Sequence, residues 1–173
     1  MILSTLATVS MEELANKYPK LVKWFQLYLF TDRDQSLQMI RRAENSGFKA
    51  IVFTVDAPKF GTRRRDVRNS FKVAAKSLAN FKQDSDRSLQ NVEYVDASIK
   101  WSDLTWLCKV SRLPVIVKGI LTPEDSLLAL GHGASGIIVS NHGGRQLDGV
   151  PATVSFVPAS EPYNLILFSI TRI

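Results

Sequence analysis

The sequence has 173 residues, of which 45% are hydrophobic and 22% charged, and a formal net charge of +6 at pH 7. This length and apolar content predict one globular domain and argue against intrinsic disorder. A single cysteine, Cys108, and two histidines exclude a disulfide framework and a multi-cysteine metal centre, so we expect a reducing compartment and no metal site.

The positive charge is concentrated in one segment. Residues 59–76 hold seven basic residues and one acid, Asp66, which accounts for the whole net charge of +6. A nucleic-acid-binding arm is one interpretation, but no aromatic-rich or groove-reading motif accompanies the charge. No run is long enough to span a membrane, and the opening residues lack the basic start of a signal peptide. We therefore predict a protein without a nucleic-acid or membrane partner.

Short apolar runs alternate with segments that begin as helices do. Each run is too short for a helix and rich in β-branched or aromatic residues, which predicts buried strands over residues 25–30, 50–55, 114–117 and 136–139. The predicted helices begin at hydroxyl residues followed by an acidic capping partner, namely Ser10, Thr31, Ser102 and Thr122. Strands that alternate with helices pair in parallel with the helices outside, which predicts the α/β class.

Polar residues collect at the carboxyl ends of the predicted strands, where such sheets carry their functional groups. They are Gln26, Tyr28, Thr54, Asp56, Lys118, Ser140, Asn141 and His142. No G-x-G-x-x-G loop follows an early strand, which argues against an open dinucleotide-binding sheet. A (β/α)8 barrel explains the pattern better. Because a closed barrel needs ~250 residues, we predict a partial barrel that is not closed.

Two regions interrupt this alternation. Residues 57–99 are long, polar and uneven, which is typical of a lid, a binding loop or a disordered segment. Residues 156–173 contain no capped amphipathic helix where the alternation requires one. We therefore assign residues 1–155 to the partial barrel and treat residues 156–173 as an unrelated C-terminal tail.

The strand at residues 136–139 runs into a loop of candidate catalytic residues, Ser-Asn-His-Gly-Gly-Arg-Gln-Leu-Asp at 140–148. His142 is a candidate base beside a fixed cation, Arg145, and the two glycines allow backbone or ligand to approach closely. The alternative interpretation is a strand followed by an ordinary polar turn.

Several motifs together resemble the FMN-dependent 2-hydroxy-acid oxidases and dehydrogenases, which include glycolate oxidase. The segment 140–148 is similar to the signature of that family. Trp-Phe-Gln-Leu-Tyr at 24–28, Phe-Thr-Val-Asp-Ala-Pro at 53–58 and Leu-Pro-Val-Ile-Val-Lys-Gly at 113–119 occur in its order and spacing. The resemblance extends from about Ile2 to Ala152 and implies FMN bound over the carboxyl end of the barrel. It also implies that this chain holds roughly strands 3 to 7 of that barrel.

The resemblance implies oxidation of an L-2-hydroxy acid to the 2-oxo acid, with O2 as acceptor and H2O2 as product. His142 corresponds to the base that takes a proton from the substrate, and Asp56 to the carboxylate that pairs with it. Arg145 corresponds to the guanidinium that grips the substrate carboxylate, assisted by Arg63 and by a hydrogen bond from Tyr28. Hydride transfer and a carbanion pathway both remain open.

The same resemblance implies a set of flavin-binding residues. Lys118 corresponds to a lysine near the pyrimidine edge of the flavin, where a fixed cation stabilises negative charge in the reduced ring. The polar groups expected to bind the cofactor beside it are Ser4, Gln26, Thr54 and Ser140.

Departures from the family predict limited activity. Family members begin upstream with the first barrel strands and an active-site tyrosine, and continue with the motifs that bind the FMN phosphate. We expect this chain to bind FMN poorly and to turn over little. A non-catalytic fragment that associates with intact subunits or aggregates is the rival interpretation. Leu6 stands where glycolate oxidases tend to have tryptophan, so a lactate or mandelate enzyme is a further alternative.

Location and assembly follow only from the resemblance. Family members of the hydroxyacid oxidase type form homo-oligomers and often reach peroxisomes through a C-terminal tripeptide similar to Ser-Lys-Leu. This chain ends Thr-Arg-Ile, residues 171–173. We expect a peroxisomal location, or a cytoplasmic one if that ending is not a targeting signal.

Overall fold

A single sheet of six parallel strands, arranged in chain order, forms the centre of this computed structural model, which describes residues 1–71, 78–81, 95–156 and 167–169. The strands are β1 (Ile2–Ser4), β2 (Trp24–Leu27), β3 (Ile51–Thr54), β4 (Val115–Ile120), β5 (Gly136–Val139) and β6 (Leu167–Ser169). The helices are α1 (Met11–Lys17), α2 (Arg33–Asn45), α3 (Arg64–Arg68), α4 (Trp101–Val110) and α5 (Pro123–Gly131). Over the described residues the sheet does not close, which confirms the predicted α/β class and partial barrel. None of the helices described is long and apolar enough to cross a bilayer.

The strand boundaries differ from the predicted ones mainly where the chain turns into the site. β2 ends at Leu27 rather than at Phe30, because its pairing with β3 stops there, and Phe30 forms an isolated antiparallel bridge with Val95. β4 continues past Val117 to Ile120 through an irregularity in its pairing with β5. β6 belongs to the segment predicted as a tail, whose residues 157–166 and 170–173 lie outside the described part of the chain.

Two of the four predicted helix starts are correct. Ser10 accepts the Glu13 amide at the start of α1, and Thr122 accepts the Asp125 amide ahead of Pro123 at the start of α5. Thr31 was the wrong cap, because the carboxylate of Asp32 accepts two amides at the start of α2. Ser102 was also the wrong cap, because α4 begins at Trp101 and Lys100 precedes it.

The start of α4 shows why a hydroxyl residue is not required there. Lys100 precedes the first helical residue, and the Asp103 carboxylate reaches back to the Lys100 amide at 2.7 Å. An acid at the third helical position thus satisfies a free amide of the first turn.

The two faces of the sheet carry different side chains. One face packs on the helices in the main core, in which Phe25, Ile51, Val117 and Ile137 are fully buried. The other face has a small apolar cluster of Ala50, Val52, Ile116 and Ile138. Because side chains alternate along a strand, residues two positions after this cluster emerge on the same face, at the carboxyl ends of the strands. Thr54, Lys118 and Ser140 occupy those positions, so the predicted site lies on the face opposite the helices.

Part of the predicted long loop is packed into the core. Leu78, Asn80 and Phe81 are buried. The Asn80 side chain accepts the Met11 amide at 3.0 Å and donates to the carbonyls of Ser4 and Thr5 at 3.1 and 3.3 Å. These bonds tie the loop to backbone groups at the end of β1 and the start of α1. Residues 72–77 and 82–94 of this loop lie outside the described residues.

The far end of the same loop is fixed by Arg33 at the start of α2. Its guanidinium contacts Asp96 Oδ2 at 2.6 Å and Asp103 Oδ1 at 2.8 Å. Asp96 also accepts the Ser98 hydroxyl at 2.7 Å and the Ser98 amide at 2.8 Å. The Ser98 hydroxyl, together with that amide and the Arg33 charge, lowers the pKa of Asp96 to about 2.

This shift predicts a pH-dependent contribution to stability. A carboxylate whose pKa is lower in the folded state stabilises the fold above pH ~4, and that contribution is lost as the pH falls toward ~2. We expect Asp96→Asn to lower the free energy of unfolding by about 1 kcal/mol at pH 7, a value reduced by solvent screening. Urea unfolding at pH 7 and pH 2 measures it, with the exposed Asp148→Asn as control. An equal loss at both pH values would contradict the assignment.

Candidate active site

His142 and Asp56 meet at the carboxyl ends of β5 and β3. His142 Nδ1 lies 2.8 Å from Asp56 Oδ1, and both side chains are largely buried, with exposed fractions of 6% and 11%. An ionised carboxylate can only accept hydrogen bonds, so the proton of the neutral imidazole resides on Nδ1 and Nε2 is left as the basic atom. The pair therefore has the geometry that an oriented general base requires.

The loop after β5 holds His142 in an uncommon backbone conformation. His142, Gly143 and Gly144 all have positive φ angles, of 59°, 66° and 64°. Such angles cost little for glycine but are unfavourable for histidine. The Ser140 hydroxyl accepts the His142 amide at 3.0 Å and helps to maintain the turn. Ser140, predicted to bind the cofactor, is thus engaged in orienting the histidine.

Lys118 approaches the same carboxylate from β4. Its Nζ lies 3.5 Å from Asp56 Oδ2, while the histidine occupies the other oxygen. Burial lowers the pKa of Lys118, and the charge of Asp56 opposes this shift. Asp56 is therefore shared between a cation and an imidazole.

Gly119 makes room for that arrangement. It is the residue at which the pairing of β4 with β5 shifts register, and its φ is +115°. A Cβ added there would lie 2.6 Å from Asp56 Cβ and 2.9 Å from the Asp56 amide nitrogen. Such distances do not occur between ordinary nonbonded atoms, so the Asp56 side chain fits only against a glycine.

Tyr28 lies just past the end of β2 and is buried. Its ring packs edge-on against Phe60 at a centroid distance of 5.6 Å. Burial, reinforced by the charge of Asp56, raises the pKa of Tyr28, and the charges of Arg145 and Arg63 oppose this shift. The phenol therefore stays protonated at neutral pH and can donate a hydrogen bond.

Arg145 and Arg63 both bring positive charge close enough to act on Tyr28. Arg145 Nε donates to the His142 carbonyl at 2.9 Å, which fixes the guanidinium to the loop that carries the histidine. Arg63 immediately precedes α3 and is partly buried. Both arginines act electrostatically on Tyr28, which gives the site two cations suited to a carboxylate.

The remaining predicted residues form a hydrogen-bonded row across three strand ends. Gln26 Nε2 donates to Thr54 Oγ1 at 3.0 Å, and Gln26 Oε1 accepts the Ser4 hydroxyl at 3.3 Å and the Thr5 amide at 3.2 Å. Gln26 and Thr54 are buried, whereas Ser4 is exposed. The row is separate from the His142 contacts but lies at the same edge of the sheet.

Sequence reasoning assigned no role to Gly119, Gln146 or Phe60. A glycine within the apolar run 115–120 is a signal for a bulge or a close backbone approach, and it could have identified Gly119. Gln146 and Phe60 are recognisable only from their contacts across the site, because neither residue type has a distinctive spacing.

Comparison with known proteins agrees with this arrangement. The model of the FMN-dependent dehydrogenase family matches residues 1–162. Mouse 2-hydroxyacid oxidase 1 is 44% identical over 172 residues, covering 91% of this chain and 46% of that protein. Spinach glycolate oxidase is 46% identical over 165 residues, covering 89% of this chain and 44% of that protein. The chain thus spans less than half the length of these curated relatives.

Solved structures show the same relationship. A mandelate oxidase variant in complex with (S)-mandelic acid superposes with a TM-score of 0.84 at 37% identity, covering 99% of this chain and 48% of that one. The family model matches nearly the whole length of the chain, and the candidate site lies at the strand ends. The chain therefore belongs to the FMN-dependent dehydrogenase family.

Proposed function

We propose that this chain carries the substrate-oxidising half of an FMN-dependent 2-hydroxy-acid oxidase, which converts an L-2-hydroxy acid to the 2-oxo acid and reduces O2 to H2O2. The observation that carries the proposal is the 2.8 Å contact between His142 Nδ1 and Asp56 Oδ1 beside Arg145. A base oriented by a carboxylate, next to cations for an acid substrate, suits proton removal from a 2-hydroxy acid.

The donor set of the site suits a flavin. Gln26, Thr54 and Ser4 offer both donors and acceptors in one row, which matches the alternating polar atoms of an isoalloxazine edge. Lys118 would lie at the edge where negative charge collects. When bound, FMN supplies the acceptor for the two electrons that leave the substrate.

The residues of the chain would divide the remaining work. Arg145 and Arg63 bind the substrate carboxylate, and Tyr28 donates a hydrogen bond to the substrate. His142 Nε2 takes the substrate proton, which makes the imidazole positively charged. Asp56, which contacts Nδ1 at 2.8 Å, holds the ring and lies where it would stabilise that positive charge.

Assembly and location extend the proposal by resemblance. We propose that the intact enzyme forms a homo-oligomer, uses O2 as its acceptor and resides in the peroxisome. The ending at residues 171–173, which bears on targeting, lies outside the described residues.

The rival candidate is a non-catalytic product that acts by association. Exposed apolar side chains around β1 and α1 favour it, including Met1, Val9 and Tyr18 with exposed fractions of 59%, 38% and 50%. Among the described residues β1 is an edge strand, and an edge strand can offer backbone groups to another chain.

One experiment separates the two candidates. The full chain is incubated with FMN, passed through size-exclusion chromatography, and assayed for retained flavin absorbance and for H2O2 on addition of glycolate, L-lactate or L-mandelate. We expect weak flavin retention and slow peroxide release that requires a 2-hydroxy acid. Loss of all flavin and peroxide signals, with elution as a large assembly, would favour the rival.

A further inference from the structure

We propose that Gln146 is a positioning residue that clamps residues 59–61 against the loop after β5, so that Arg63 and Arg145 face one substrate carboxylate. The inference rests on the proposed function, which it deepens by naming what fixes the anion-binding pair. Gln146 itself would not touch the substrate.

The clamp consists of two hydrogen bonds made by one amide. Gln146 Oε1 accepts the Gly61 amide at 3.0 Å, and Gln146 Nε2 donates to the Lys59 carbonyl at 2.7 Å. An amide side chain offers one acceptor and one donor group, so it can bind both sides of a short backbone segment. No aliphatic or charged side chain of similar size can do this.

The segment is also held from its other sides. Gly61 lies so close to the loop that an added Cβ would come within 2.4 Å of the Arg145 carbonyl oxygen. Between the two clamped residues, the Phe60 ring packs on Tyr28. The segment is thereby fixed to both the arginine loop and the tyrosine of the site.

This placement links the two arginines. Arg145 directly precedes Gln146, and Arg63 follows Gly61 by two residues and leads into α3. Arg63 comes from the β3 side of the sheet and Arg145 from the β5 side. The clamp joins the loops that carry these two arginines, and the charges of both arginines act on Tyr28. Without it, the segment that leads to Arg63 would lose both of its hydrogen bonds to the arginine loop and keep the Phe60 packing and the close approach of Gly61.

The central test compares Gln146→Met, which keeps the length of the side chain but removes both hydrogen bonds, with the wild type. Gln38→Met, on the exposed surface of α2, is the matched control. The first readout is the amide hydrogen exchange of residues 59–63 in the full chain, which requires neither flavin nor turnover. We expect exchange to accelerate about tenfold in Gln146→Met and to be unchanged in Gln38→Met.

The second readout is the steady-state oxidation of glycolate by the chain in the presence of excess FMN. Because the arginines bind the carboxylate equally in the ground and transition states, KM is expected to rise about tenfold with kcat nearly constant. Gln146→Glu, which keeps an acceptor for the Gly61 amide, should exchange more slowly at that amide than Gln146→Met.

The outcomes separate the two proposals. Unchanged exchange in Gln146→Met would overturn the clamp, whatever the activity. Faster exchange with KM unchanged, or with a loss confined to kcat, would show that the Gln146 clamp does not position Arg63 and Arg145. Absence of oxidation by the wild type would count against the proposed function, and the exchange measurement would then decide the clamp alone.

Discussion

Replacing His142 with glutamine is expected to slow the oxidation of a 2-hydroxy acid by the FMN-loaded chain about 10²–10⁴-fold. Glutamine can still donate to Asp56, but it has no basic atom to take the place of His142 Nε2. Substrate binding should change little, because the carboxylate is assigned to the arginines. Rapid mixing with glycolate under anaerobic conditions, followed by the loss of visible flavin absorbance, measures the chemical step directly.

The other histidine of the chain provides the control. His132 stacks on Trp101 and contacts the Thr105 hydroxyl at 2.8 Å, away from Asp56. His132→Gln should retain the wild-type rate of flavin reduction. A rate for His142→Gln within a few-fold of the wild type would remove the basis for a catalytic base at this position.

The second large effect is expected at Gly119, where alanine should destabilise the protein by about 3 kcal/mol. Two costs combine at this residue. The backbone has φ +115°, a conformation that L side chains rarely adopt, and the added Cβ would lie 2.6 Å from Asp56 Cβ. Relief of the contact would move Asp56 away from His142, so the rate of substrate oxidation should fall as well.

Two other glycines isolate these costs. Gly47 has φ +73° with nothing within 4 Å of an added Cβ, so alanine there should destabilise the protein only through the backbone conformation. Gly131, at the end of α5, has neither constraint, and alanine should be neutral or slightly stabilising. Thermal and urea unfolding should show the largest loss of stability for Gly119→Ala, a smaller loss for Gly47→Ala and the smallest change for Gly131→Ala. A Gly119 loss no greater than that at Gly47 would show that Asp56 is not confined as described.

The sequence allowed the elements to be predicted where a local signal determines them. Hydroxyl caps identified the starts of α1 and α5, and β-branched runs identified β3 and β5, because both signals lie within a few residues. β1 and β6 were absent from the predicted runs, since strands of three residues have too short an alternation to recognise. Asp32 was missed as the cap of α2 because the adjacent Thr31 is also a favoured capping residue type, and Asp103 was recognised as a capping partner but caps the Lys100 amide rather than pairing with Ser102.

The candidate site was predicted in outline for a different reason. Parallel strands bring their carboxyl ends together, so a list of polar strand-end residues already implies a cluster, and the resemblance implied the roles. The contacts across loops could not be predicted. The Gln146 bonds to Lys59 and Gly61 join residues that are 87 and 85 positions apart, and the burial of Asn80 depends on backbone groups of β1 and α1. No periodicity in a sequence records such pairs.

The row of polar side chains at the ends of β1, β2 and β3 has a fixed directionality. A backbone amide can only donate, so the Thr5 amide forces the oxygen of the Gln26 side chain toward β1 and its nitrogen toward β3. The Thr54 oxygen then accepts, which leaves its own hydroxyl hydrogen for an acceptor beyond the end of β3. A single amide just after β1 thus fixes, two strands away, Thr54 as the acceptor of the Gln26 side-chain nitrogen and leaves its hydroxyl hydrogen available for donation.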